Sequence, residues 1–136
     1  MAYSRVVVRK LHAVIETPEY LSRAIRLIAD AERSAIVDHL ARNPTAGDLI
    51  PGTGGARKLR WAREGGGKSG GVRIVTYFGG VDIPVFLLTM FAKNEKSDLA
   101  PAERNQLKQV LGEVARNYRE GVARNVQSRR KHPSWR

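Results

Sequence analysis

The chain has 136 residues, of which 42 % are hydrophobic and 27 % charged, proportions that suit one compact domain. Its 24 lysines and arginines outweigh 13 acidic residues for a net charge of +11, a balance that favours a polyanionic partner and says little about fold. It contains no cysteine, which excludes disulfides, thiolate zinc sites and cysteine nucleophiles and fits a reducing, cytoplasmic setting; no stretch approaches the ~20 apolar residues of a membrane span.

From the start of the chain, Val6-Val7-Val8 lies between Arg5 and Arg9. This is too short an apolar run for a signal peptide and reads as an added strand or a loose arm. His12–Glu16 reads as a first strand. Thr17-Pro18 then fits a helix start, with threonine as N-cap and proline at the first helical position. Leu21, Ala24, Ile25 and Ile28 follow at helical spacing. Asp30 is placed to cap a second helix carrying Ile36, Val37 and Leu40, and Asn43-Pro44 stops it, because the residue before proline avoids helical angles. The pair reads as a helical hairpin or a broken helix.

Residues 44–56 are a loop rich in turn formers. Two strands follow, Arg57–Arg63 and Val72–Phe78, joined by a glycine-rich loop. Side chains alternate faces along a strand. If the strands pair, Lys58, Arg60, Arg73 and Tyr77 share one surface, and Leu59, Trp61, Ile74, Thr76 and Phe78 point the other way. The expectation is a cationic sheet face with an apolar back. Gly79–Asp82 is a second turn, and Pro84–Phe91 is an apolar run that fits a strand buried on both faces. Pro101 opens a long helix with Glu103 in its first turn, and Leu107, Val110, Leu111, Val114, Tyr118 and Val122 form an apolar stripe along it. The succession describes an α+β domain with a largely antiparallel sheet, a single domain over 1–125, followed by a basic, mobile tail over 126–136.

The positive charge is uneven. Residues 1–50 carry seven basic and six acidic groups, residues 51–93 seven and two, and residues 94–136 ten and five. The excess belongs to the hairpin and the C-terminal region. Ala62-x4-Gly67-Lys68-Ser69 satisfies a loose nucleotide-loop pattern, yet that loop needs a helix after it to hold the phosphates, and a strand is expected there instead. Lys68 is better read as a contact that closes over a bound nucleic-acid strand. His12, His39 and His132 are far apart and lack ligand spacing. Only Glu64 and Asp82 are acidic between 51 and 93, so carboxylate-pair catalysis is not expected, and neither a metal nor a cofactor is.

The series Gly52-Thr53-Gly54-Gly55, Arg57-Lys58-Leu59-Arg60, Gly67-Lys68, Gly70-Gly71-Val72-Arg73 and Tyr77-Phe78, followed by Phe91-Ala92-Lys93-Asn94-Glu95-Lys96-Ser97-Asp98-Leu99, resembles HigB-type toxins of the RelE superfamily. The resemblance covers about His12 to Leu111. It implies a RelE-like, microbial-RNase-like fold with helices packed on one face of an antiparallel sheet and the active site on the other. It implies the toxin of a type II toxin–antitoxin system, a metal-independent endoribonuclease that cuts mRNA in the 30S A site of the ribosome. It also implies a cognate antitoxin, a HigA-like helix-turn-helix protein. By position, Lys58, Arg60, Arg73 and Lys93 match catalytic basic residues. Either Lys58 or Tyr77 is expected to accept the 2′-OH proton, and Arg57, Lys68 and Lys96 are expected to contact RNA. Leu99-Ala100-Pro101 departs from relatives that carry a tyrosine or histidine near this point. The competing reading is a basic RNA- or DNA-binding module without chemistry.

Overall fold

A computed structural model describes residues 10–63, 71–96 and 98–131. The first elements are strand β1 (Val14–Glu16), helix α1 (Pro18–Leu27) and helix α2 (Asp30–Arg42). The Thr17 hydroxyl does two jobs: it accepts the Tyr20 N–H at 3.4 Å, capping α1, and donates to the Leu87 carbonyl at 2.6 Å. The cap therefore also ties the helix start to the sheet. Ile28 and Ala29 are extended, so α1 and α2 are two helices rather than one with a break. Ala29, not Asp30, occupies the α2 N-cap. Asp30 lies in the first helical turn, where its charge favours the helix dipole, and it pairs with Arg33 at 3.4 Å. Asn43, ahead of Pro44, leaves helical geometry as expected, with φ −135° and ψ 71°.

Beyond α2 come β2 (Asp48–Leu49), β3 (Ala56–Trp61), β4 (Val72–Tyr77), β5 (Val85–Ala92) and α3 (Pro101–Lys131). The sheet order is β1-β5-β4-β3-β2. All neighbours are antiparallel except β1, which pairs parallel with β5. The antiparallel expectation thus holds for four strands, and the fifth joins as a short parallel edge. β2 falls in the stretch expected to be loop. It forms because Gly47, at φ +96°, lets the chain approach β3; a Cβ there would lie 2.9 Å from the Lys58 carbonyl oxygen. Between β4 and β5 the register slips by one residue: Val75 faces Thr89 and Thr76 faces Leu87, leaving Leu88 as a bulge. α3 runs on to Lys131, so residue 126, the expected start of a tail, lies inside the helix. Pro133 is the first helix breaker in that stretch and comes only after it; residues 132–136, like Val6–Val8, are outside the described residues.

The core has two layers of helix, one on each side of the sheet. Tyr20, Ala24 and Ile28 of the α1 segment and Ile36 and Leu40 of α2 pack on Val72, Ile74, Leu87 and Met90. On the opposite face, Leu111 packs with Ala56, Val75 and Phe91, and Ala115 with Ile83 and Phe86. The α+β architecture expected from sequence is present, with one correction: the helices are not all on one face. Val75, Phe86 and Phe91 point away from α1 and α2, and the α3 stripe buries them. β5 is apolar on both sides for this reason, as its sequence suggested. Among the described residues no helix is long and apolar enough to cross a membrane.

Candidate functional site

α3 covers only part of its sheet face. It lies over the Ala56, Tyr77 and Phe86 end, where the side chains are apolar. The uncovered part is cationic, for a reason visible in the register. Arg60 stands directly opposite Arg73, and Lys58 stands opposite Val75, one alternation closer to α3. Directly opposed residues share a face with Cβ atoms about 4.5–5.5 Å apart. Like charges so placed repel, and a sheet that keeps them is suited to bind an anion between them. Arg73 is only 8 % exposed, and its Nη1 donates to the Val72 carbonyl at 3.3 Å. Phe91 of β5 flanks it on the side away from Arg60. Arg60 is exposed and makes no ion pair with any described residue.

The segment joining β5 to α3 closes one side of this face. Lys58 is held there: its Nζ lies 3.5 Å from Asp98 Oδ1, and the side chain is 16 % exposed. Asp98 is itself braced, with Oδ1 accepting the Leu99 N–H at 2.8 Å and Oδ2 lying 3.4 Å from Arg104 Nη2. The Leu99 N–H first, and then the Lys58 and Arg104 charges, hold the Asp98 carboxyl below its ordinary range. One turn away, Glu103 Oε1 accepts the Ala100 N–H at 2.9 Å, and Glu103 Oε2 meets Lys96 Nζ at 2.7 Å. Glu103 is the third helical residue, and its bond to the cap N–H is half of a capping box. The Lys96 bond first, and then the Ala100 N–H, depress the Glu103 carboxyl.

The candidates expected from sequence separate in the fold. Lys58, Arg60 and Arg73 come together. Lys93 is exposed just beyond the end of β5, its backbone N–H bonded to the Gly71 carbonyl at 3.2 Å. Lys96 borders the face but is engaged with Glu103, and its Nζ lies 5.1 Å from the Phe91 ring centroid. Tyr77 shares the face with Arg73 yet stands four residues along β4, roughly 13 Å away, among the apolar residues packed by α3. Alternation aligned it with the cations but did not bring it to them. Arg57 is on the other face: it pairs with Thr76, and its Nη1 donates to the Gly47 carbonyl at 3.2 Å. One residue of offset along a strand reverses the face, so Arg57 is not part of this group. Lys68 lies outside the described residues.

Two further members were missed, Asp98 and Arg104. Position 98 stands in a stretch singled out by resemblance, but nothing in linear spacing links an aspartate there to a lysine 40 residues earlier. Only the return of the chain across the sheet does so. Chemically, the opposed arginines and the held lysine present several N–H donors to one side, which suits a phosphodiester and the extra charge it gains during transfer. The model of a protein family described as "RelE toxin of RelE / RelB toxin-antitoxin system" matches residues 19–130, a span that includes the whole cationic face and nearly all of α3.

Proposed function

Because this chain belongs to the RelE toxin family, we propose that it is a HigB-type endoribonuclease that cuts mRNA in the ribosomal A site. As a RelE-family chain it is the toxin of a toxin–antitoxin system, and its partner is an antitoxin; a HigA-like helix-turn-helix protein is the form of antitoxin this reading takes. Its place of action is then the cytoplasm, on translating ribosomes. The observation that carries the reading is the opposed Arg60–Arg73 pair on the α3 side of the sheet, with Arg73 largely buried and Arg60 exposed.

In the proposed reaction the ribose 2′-oxygen attacks the adjacent phosphorus and the bond to the 5′-oxygen breaks. The products are a 2′,3′-cyclic phosphate and a 5′-OH end. Arg73 and Arg60, with Lys93 at the strand end, stabilise the charge that builds on the phosphorane oxygens, the largest contribution expected at such a site. Arginine does not exchange protons here, and Tyr77 stands too far along the strand. Of the two lysines, Lys58 stands within the cationic face and is held there by Asp98, so the proton is assigned to it. Held by Asp98 as an ammonium, it donates to the departing 5′-oxygen, while the 2′-OH proton passes to solvent. Accepting that proton instead would require the Asp98 pair to be given up. The ribosome and the cationic face together fix the nucleotide for in-line attack.

The test is expression with and without the antitoxin, followed by mapping of mRNA ends in a translating extract. Growth arrest by the toxin alone and cuts in register with codons are expected. Intact mRNA at toxin excess would leave a basic binding module without chemistry.

A further inference from the structure

The Lys58–Asp98 pair is selective. Asp48 stands directly across from Lys58 in the β2–β3 register, on the same face, yet makes no ion pair with it. The pairing goes instead to Asp98, which arrives from the segment between β5 and α3. A lysine has four rotatable side-chain bonds and a compact charge with no fixed direction. Beside two arginines, a free ammonium would be repelled toward solvent. Asp98 supplies the opposing pull. It is fixed by the Leu99 N–H at 2.8 Å and by Arg104 at 3.4 Å, and the helix start behind it is fixed by Glu103 bonding the Ala100 N–H.

We infer that Asp98 is a positioning residue: it acts through Lys58, holding the ammonium over the cationic face where the scissile phosphate sits, with Arg104 as its brace. The inference rests on the endonuclease reading above. Asp98 itself makes a poor base, since the bonds that hold it in place also stabilise its ionised form. It is also a poor substrate contact, since a carboxylate repels phosphate. These two properties set the sign of the test. Removing a negative charge from a phosphate-binding face leaves RNA binding equal or tighter. Releasing Lys58 slows the chemical step.

The variants are Asp98→Asn, Lys58→Gln, the double variant and Asp48→Asn, each compared with wild type on ribosomes programmed with a defined mRNA. Asparagine at 98 can still accept the Leu99 N–H, so a melting temperature close to wild type is expected. The cleavage rate at saturation should fall roughly 10- to 100-fold, the size of effect a misplaced catalytic group produces, while half-saturation stays equal or drops. In the Lys58→Gln background, adding Asp98→Asn should change the rate by no more than about twofold, because the two act as one unit. Asp48→Asn should cleave like wild type. Arg104→Gln should lose rate in the same direction as Asp98→Asn but less. A loss that persists undiminished in the Lys58→Gln background, an equal loss in Asp48→Asn, or an unchanged rate in Asp98→Asn would each overturn the assignment. Wild-type toxin that leaves the mRNA intact would instead remove the endonuclease reading and this inference with it.

Discussion

Arg73→Ala is the substitution that most directly separates chemistry from binding. The side chain is 8 % exposed and faces Arg60 across the β3–β4 register. Its removal has three consequences of different size. The fold loses a largely buried, hydrogen-bonded side chain, a cost only partly offset by the roughly 0.2–1 kcal/mol returned on relieving a like-charged opposed pair, so the melting temperature should fall. Binding loses one phosphate contact among several: the salt dependence of association with single-stranded RNA should flatten by about 0.7 in log–log slope. The chemical step loses a donor aimed at the phosphorane, which costs about 10²–10³ in rate, roughly 2.7–4 kcal/mol. Primer extension on mRNA from a translating extract reads the rate, co-sedimentation with ribosomes at two salt concentrations reads binding, and a thermal melt checks the fold. If cleavage and binding fall by the same factor, the face is a binding surface and the catalytic argument fails.

Tyr77→Phe should cleave within about threefold of wild type, because its position lies four residues, roughly 13 Å of backbone, along the strand from Arg73; a loss near 10², the low end for a missing acid or base, would restore it to the proton path. Asp82, held down by its bond to Arg119, and Asp98 and Glu103, held down as described, all titrate below the ordinary carboxylate range when folded. Their contribution is therefore present above the unfolded-state value of about 4 and is lost as pH falls through and below it. The melting temperature should hold from about pH 7 to 5 and drop below about 4, and Asp82→Asn combined with Asp98→Asn and Glu103→Gln should flatten that acid limb; an unchanged limb would count against the assignment. Tyr20 is fully buried, burial pushes its hydroxyl pKa upward, and the hydroxyl has no hydrogen-bond partner among the described residues. Tyr20→Phe should consequently match or exceed wild-type stability, by up to about 1–3 kcal/mol in denaturant unfolding, and a clear loss would mean that the hydroxyl has a partner.

Local chemistry made much of this protein readable from its residues. Thr17-Pro18 favours a helix start through its cap and its fixed proline φ, and Asn43-Pro44 favours a helix end. The alternation in Arg57–Arg63 and Val72–Phe78 put Lys58 with Arg60 and Arg73 with Tyr77, since a two-residue repeat depends on the backbone alone; the β3–β4 register then set both pairs on one face. The same rule also placed Arg57 on the opposite face, one position from Lys58. β2 was invisible because two residues carry no pattern; Gly47 permits that strand only when β3 lies beside it.

What the tertiary structure decided were relations between distant segments. An apolar stripe on α3 requires a surface to bury it but does not name which sheet face; Val75, Phe86 and Phe91, left uncovered by α1 and α2, settled that. Sharing a face did not mean sharing a site, because the distance along a strand, not its periodicity, separates Tyr77 from Arg73. The carboxylate that holds Lys58 is Asp98 rather than its register neighbour Asp48, because the chain leaving β5 turns back over the cationic half of the sheet before α3 begins. The sequence by itself thus determined which side chains could form an anion-binding surface, through rules that act over a few residues. Which of them meet, and which acidic partner restrains them, depended on strand register and on where α3 docks, and neither is set by any short stretch of chain.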